Sequence, residues 1–209
     1  MVNTTELTLP FMHLNLRFNP FGELPLKYRA KLSVIDSAPY IAHLGKPRAA
    51  LQFLGDKGHG KTTHLLTLRN LLPGSGYVHF PENSRPKIPP GSPLLLDEAQ
   101  RIPWWVRRRV FKGTKPLVLG THRDFSDELT KCGRKVWTIQ AGIKTDRIQL
   151  DKIVRKRIEF ARRQAGEVPV VPMNTIDKLL YKYGADIRAI EGCLYDLLQS
   201  LEGPCNVEM

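Results

Sequence analysis

The run Gly55-Asp56-Lys57-Gly58-His59-Gly60-Lys61-Thr62 fits the spacing G-x-x-x-x-G-K-[ST] in full. That spacing suits the binding of a triphosphate. Glycines let backbone N–H groups turn inward around phosphate oxygens. A helix opening near Lys61 points the positive end of its dipole at the same anion. Lys61 then reaches the β and γ phosphates, and the Thr62 hydroxyl completes the shell of a magnesium ion. The expected cofactors are ATP and Mg²⁺, held by Gly55, Asp56, Lys57, Gly58, His59, Gly60, Lys61, Thr62 and Thr63.

A second constellation lies downstream. Leu94-Leu95-Leu96-Asp97-Glu98-Ala99-Gln100 reads as an apolar strand that ends in two carboxylates. In a parallel sheet, ligands gather at the carboxyl ends of strands. Asp97 is therefore expected to share the metal with Thr62, and Glu98 to orient and deprotonate a water facing the γ phosphate. Gln100 is divided between solvent and a role. His59 and His64 flank the glycine-rich run, but zinc would need further ligands at suitable spacing. The remaining histidines are scattered, so His59 is expected to be a solvated loop residue.

These side chains need a frame, and the hydrophobic pattern predicts one. AALQFL, residues 49–54, reads as a buried strand leading into the glycine-rich run. HLLTLRNLL, residues 64–72, reads as the helix after it, stopped by Pro73-Gly74. Further strands are expected at 77–80, 94–97, 116–121 and 136–139. A proline-rich loop is expected over 81–93, and a helix after Pro103. One helix broken at Pro39 is expected over 27–45. Strand and helix alternate, which implies a mostly parallel sheet covered on both faces. Beyond about residue 147 the pattern turns to helix only. Apolar stripes run through 150–163, 173–184 and 186–201. Three segments follow: a leader over 1–26, an α/β domain over 27–147 and a helical domain over 148–209.

Together, GDKGHGKTT and LLLDEAQ resemble the additional-strand class of phosphate-loop ATPases, and within it a small AAA+ ATPase. The resemblance implies a three-layer sandwich around a five-stranded parallel sheet of order 5-1-4-3-2, with a small C-terminal helical lid. It also implies roles for further residues. Thr121 or His122, closing PLVLGTH, would be the polar residue that senses the γ phosphate. Arg134, just before the last strand, would be an arginine finger offered to a neighbouring subunit in a homo-oligomer. Arg188, in the GADIRAIEG segment capped by Asp186, would face the nucleotide. Asn19-Pro20-Phe21-Gly22 resembles the entry segment of accessory ATPases from transposition and secretion systems. Two departures stand out. The stretch between Thr62 and Asp97 is short, with a proline-rich loop where a second helix is usual. The sensor position holds no plain asparagine.

Composition limits the remaining choices. Lys plus Arg number 32 against 20 Asp plus Glu, a net charge of +12, which favours an anionic partner. Residues 101–115, RIPWWVRRRVFKGTK, hold basic residues and no acid, with Trp104 and Trp105 beside Arg107–Arg109. Residues 150–163 form a second basic segment. DNA or an acidic partner protein would satisfy that charge. So would a solvated helix face with its tryptophans packed in a core, or an arginine-rich subunit interface. The three cysteines are far apart and lack C-x-x-C spacing, as expected of free thiols in a reducing compartment. No apolar run reaches the length of a membrane span, and the amino terminus lacks the pattern of a secretory signal. A cytoplasmic location without membrane insertion is expected. The expected activity is Mg-dependent ATP hydrolysis coupled to assembly on DNA or a protein. The alternative is a nucleotide-gated binding switch with little or no hydrolysis.

Overall fold

Every strand expected from the apolar runs forms. A computed structural model describes residues 10–142 and 146–209. The first nine residues of the expected leader lie outside the described residues, as do 143–145 beside the expected boundary at 147. The chain divides into two compact units, residues 25–144 and residues 1–24 together with 145–209.

The first unit opens with α1, Leu26–Lys31, and α2, Ala38–Leu44. These replace the single broken helix expected there. Pro39 sits in the first turn of α2, where its missing N–H breaks no intrahelical bond. Then come β1 (Ala49–Leu54), α3 (Lys61–Leu71), β2 (Gly76–His79), β3 (Leu94–Asp97), α4 (Trp104–Lys112), β4 (Leu117–Thr121), α5 (Ser126–Lys131) and β5 (Lys135–Gln140). The short helix α5 has no counterpart in the sequence reading. It follows an Asp124 side chain that accepts from the backbone N–H and hydroxyl of Ser126.

All strand pairs are parallel, and the sheet order is β2-β3-β4-β1-β5. Read from the other edge, this is the expected 5-1-4-3-2. The strand faces alternate cleanly. Ala50, Leu94, Leu96, Leu117 and Leu119 pack with Phe111 of α4 and Leu129 of α5. Leu51, Phe53, Leu95 and Val118 pack on the other face with Leu44 of α2 and with Leu65 and Leu68 of α3. Sheet and two helical layers thus form a three-layer sandwich, as the alternating pattern requires.

The second unit is helical: α6 (Arg147–Ala161), α7 (Met173–Tyr183) and α8 (Ile187–Gln199). The predicted stripes supply its core through Leu150, Val154, Ile158, Ile176, Leu179, Ile190, Leu194 and Leu198. The described leader up to Leu24 groups with this unit. Leu14, Leu16 and Phe21 join its core. Arg157 donates to the carbonyls of Pro20 and Gly22 and pairs with Glu191. Asn19 donates to the Tyr195 carbonyl and accepts from the Phe21 N–H. The Asn19-Pro20-Phe21-Gly22 segment is therefore a pinned turn of the helical unit.

No described helix is long and apolar enough to cross a membrane. The three cysteines are free.

Candidate active site

Parallel register brings the chemistry to one edge of the sheet. Leu54 pairs with Thr121, Asp97 with Gly120, and His79 with Asp97. The residues that follow these strands (Gly55, Glu98 and His122) therefore leave the sheet on the same side. The turn from β1 to α3 needs glycine where the backbone φ is positive, at Gly58 (88°) and Gly60 (78°). Gly60 is the N-cap of α3 and no side chain caps that end. The first-turn amides of a helix have no intrahelical acceptor, so this end could receive an anion.

Lys61 is only 5% exposed. Its Nζ donates to the carbonyls of Gly55 at 2.8 Å and Asp56 at 2.7 Å, and lies 3.4 Å from His122 Nε2. Burial lowers its pKa, and the charges of Glu98, Asp97 and Asp56 pull the other way. Asp56 and Lys57 are exposed, and His59 is a half-buried loop residue. His64 is turned away from the loop mouth. Its Nδ1 meets the Gly60 carbonyl, its ring packs on Phe53, and burial keeps its pKa low.

Asp97 is fully buried. Its Oδ2 accepts from Thr62 Oγ1 at 2.8 Å and Tyr77 Oη at 3.2 Å, and faces His79 Nδ1 at 3.2 Å. Burial and the Asp97 charge push the Tyr77 pKa up, so the phenol stays protonated and donates. Asp97 Oδ1 has no hydrogen-bond partner. A buried carboxylate oxygen left unpaired is costly and suits a cation. Among the described residues no cluster of three or more His, Cys, Asp or Glu could hold a metal. Mg²⁺ asks for less: one or two protein oxygens, with phosphates and water supplying the rest. Thr62 and Asp97 fit that ion.

No family model matches this chain, and no curated protein matches it. What the site can do rests on its geometry.

Glu98 follows Asp97 in a left-handed conformation, φ 60°, which turns its side chain along the sheet edge. Its Oε2 accepts from Gln100 Nε2 at 2.7 Å and lies 3.4 Å from Arg101. Its Oε1 stands 3.4 Å from His122 Nε2. Gln100 also accepts from the His122 N–H, so it links the two. Thr121 does not take part. It is fully buried, and its hydroxyl donates to the Arg123 carbonyl and accepts from the Arg123 N–H. Of the two candidate sensor residues, His122 is the one that faces Lys61 and Glu98.

Arg134 is placed otherwise than expected. It precedes β5, at the sheet edge opposite the glycine-rich loop, and is 5% exposed. Its guanidinium donates to the carbonyls of Phe111, Ala49, Lys115, Val110 and Gly113. Burial, with nearby Arg48, pushes its pKa down to about 10. A guanidinium so engaged within its own subunit does not serve as a finger for a neighbour. Arg188 lies exposed in the first turn of α8 in the helical unit, where Asp186 accepts from the Ala189 N–H as the cap.

Three contributors escaped the sequence reading. Tyr77 and His79 share a strand face, since alternate residues do, and the register puts that face beside Asp97. Gln52 is the polar interruption in AALQFL. It is fully buried, accepts from Phe125 N–H at 2.8 Å, and donates toward Asp124 at 2.7 Å and Thr138 at 3.0 Å. It thereby ties down the turn that carries His122.

Proposed function

We propose that the protein is a Mg-dependent ATPase of the additional-strand phosphate-loop class, of the AAA+ type. One observation carries the reading: the Thr62–Asp97 pair and the Lys61–His122–Glu98 cluster share one sheet edge, beside an uncapped helix N-terminus. In this reading the loop amides bind the triphosphate. Lys61 exchanges the Gly55 and Asp56 carbonyls for β and γ oxygens. Thr62 and Asp97 would hold Mg²⁺, which supplies neutralisation of phosphate charge when bound. Glu98 orients the attacking water and takes its proton. His122 senses the γ phosphate from the end of β4.

Calorimetry tests the binding half. Mg-ATP should bind the wild type, and Lys61→Ala should weaken it at least tenfold, roughly the loss of a charge-assisted contact. Absence of binding to the wild type would remove the proposal.

A second reading has its own support. Glu98 is held by Gln100 and faces Arg101 and His122, an arrangement that occupies the base. A nucleotide-gated switch would keep it so, with turnover awaiting a rearrangement. Glu98→Gln discriminates: the switch predicts the same negligible turnover in both proteins, whereas the hydrolase predicts a large loss.

A further inference from the structure

The exposed face of α4 carries a charge and ring pattern that the nucleotide site does not use. Trp104 and Trp105 are 67% and 61% exposed, so they are not the packed core residues of one sequence alternative. Arg108, Arg109 and Lys112 are also exposed, while Arg107 and Phe111 are buried beneath. At 3.6 residues per turn, positions 104, 105, 108, 109 and 112 fall on one face. Each ring has a cation one turn on: Arg108 beside Trp104, and Arg109 beside Trp105.

The charge on this face is unpaired. Arg107, below it, makes a two-pronged pair with Glu128 and stacks on Phe125. Among the described residues, no carboxylate pairs with Arg108, Arg109 or Lys112. The second basic segment behaves differently. In α6 and at its C-terminal cap, three of the basic residues are paired: Arg155 with Asp151, Arg157 with Glu191 and Arg162 with Glu159. Among the described residues, Arg108, Arg109 and Lys112 therefore form one exposed group on α4 without an acidic partner, extended by exposed Lys115 in the following turn.

We propose that this face binds a single-stranded polynucleotide without sequence preference, with Trp104 and Trp105 stacking on bases and Arg108, Arg109 and Lys112 neutralising phosphates. Rings interleaved with cations match the alternation of base and phosphate along a strand. Trp and Arg also recur at protein–protein interfaces; what favours a polynucleotide here is that the exposed cations stand without a carboxylate and alternate with the rings. A duplex hides its bases from the rings and would engage the cations alone. The face is also tethered to the nucleotide edge. Only Ala99–Arg101 and two further residues separate Glu98 from Trp104, and Arg101 contacts Glu98 on one side and the Phe80 carbonyl on the other.

Fluorescence anisotropy with a labelled oligo-dT strand, measured on the full chain without nucleotide, tests the inference independently of the ATP reading. The wild type should bind, with an affinity that falls with salt at a slope of about −2, as for three neutralised phosphates. Trp104→Ala/Trp105→Ala should weaken binding at least tenfold, the lower range for losing two stacked rings. Arg108→Glu/Arg109→Glu should weaken it similarly and flatten the salt slope. Both pairs are surface positions, and circular dichroism melting should be unchanged. Oligo-dT affinity that survives loss of both rings would overturn the proposal. So would displacement of the strand by poly-glutamate at equal charge, which would assign the face to an acidic protein.

Discussion

His122 lies 3.4 Å from both Lys61 Nζ and Glu98 Oε1, so one imidazole stands beside both the Lys61 cation and the candidate base. Under the proposed function, His122→Ala should lower kcat about tenfold or more and leave the KM for ATP within a few-fold, because the contact matters in the transition state rather than in ground-state binding. Steady-state phosphate release measures both values. The choice between Thr121 and His122 could not be made from the string Thr121-His122, since both side chains are polar. It follows from the turn after β4, where the Thr121 hydroxyl bonds to the backbone of Arg123. The glycine-rich run, Asp97 and Glu98 were legible because their spacing is local. Tyr77 and His79 were not, because they reach Asp97 through strand register, and the role of Gln100 stayed open because it meets Glu98 and His122 through a short 3₁₀ turn.

At the level of elements, β4 must approach β3 closely beside the carboxylate. A Cβ on Gly120 would lie 2.8 Å from Asp97 Oδ1 and 3.4 Å from Leu65. Gly120→Ala should therefore displace the Asp97 carboxylate, weakening Mg-ATP binding about tenfold, while ATP binding without magnesium changes much less. Calorimetry with and without the metal separates the two effects. The strands themselves were readable from apolar runs of four to six residues, and their order followed from the resemblance. Helix α5 escaped because its six residues carry too short an apolar stripe to register. Gln52, which anchors the turn ahead of it, looked like a lone polar residue in a buried strand. A buried amide must find partners, and the structure supplies them in Phe125, Asp124 and Thr138.

At the scale of the whole molecule, Arg134 belongs to the scaffold. Its guanidinium gathers carbonyls from α4, from the turn after it and from β1. Arg134→Ala should destabilise the protein by about 3 kcal/mol or more, since several buried carbonyls lose a charged donor, and lower Tm by roughly 6–12 °C. A finger would instead leave Tm unchanged and lower turnover only in the assembled state. Sequence position alone could not separate these roles, because a basic residue before the last strand serves either one until its burial is known. The leader shows the same limit: it was expected as a segment of its own, yet Phe21 and the Asn19 turn are built into the helical unit.

Release of inorganic phosphate from Mg-ATP, compared between wild type and Glu98→Gln with nucleotide affinity measured on the same samples, tests the central claim most directly. The account predicts comparable ATP affinity in both proteins and a turnover that falls about 10²–10⁴-fold in the variant, the usual contribution of a general base. A wild type that binds no Mg-ATP, or a variant that hydrolyses it at the wild-type rate, would contradict it.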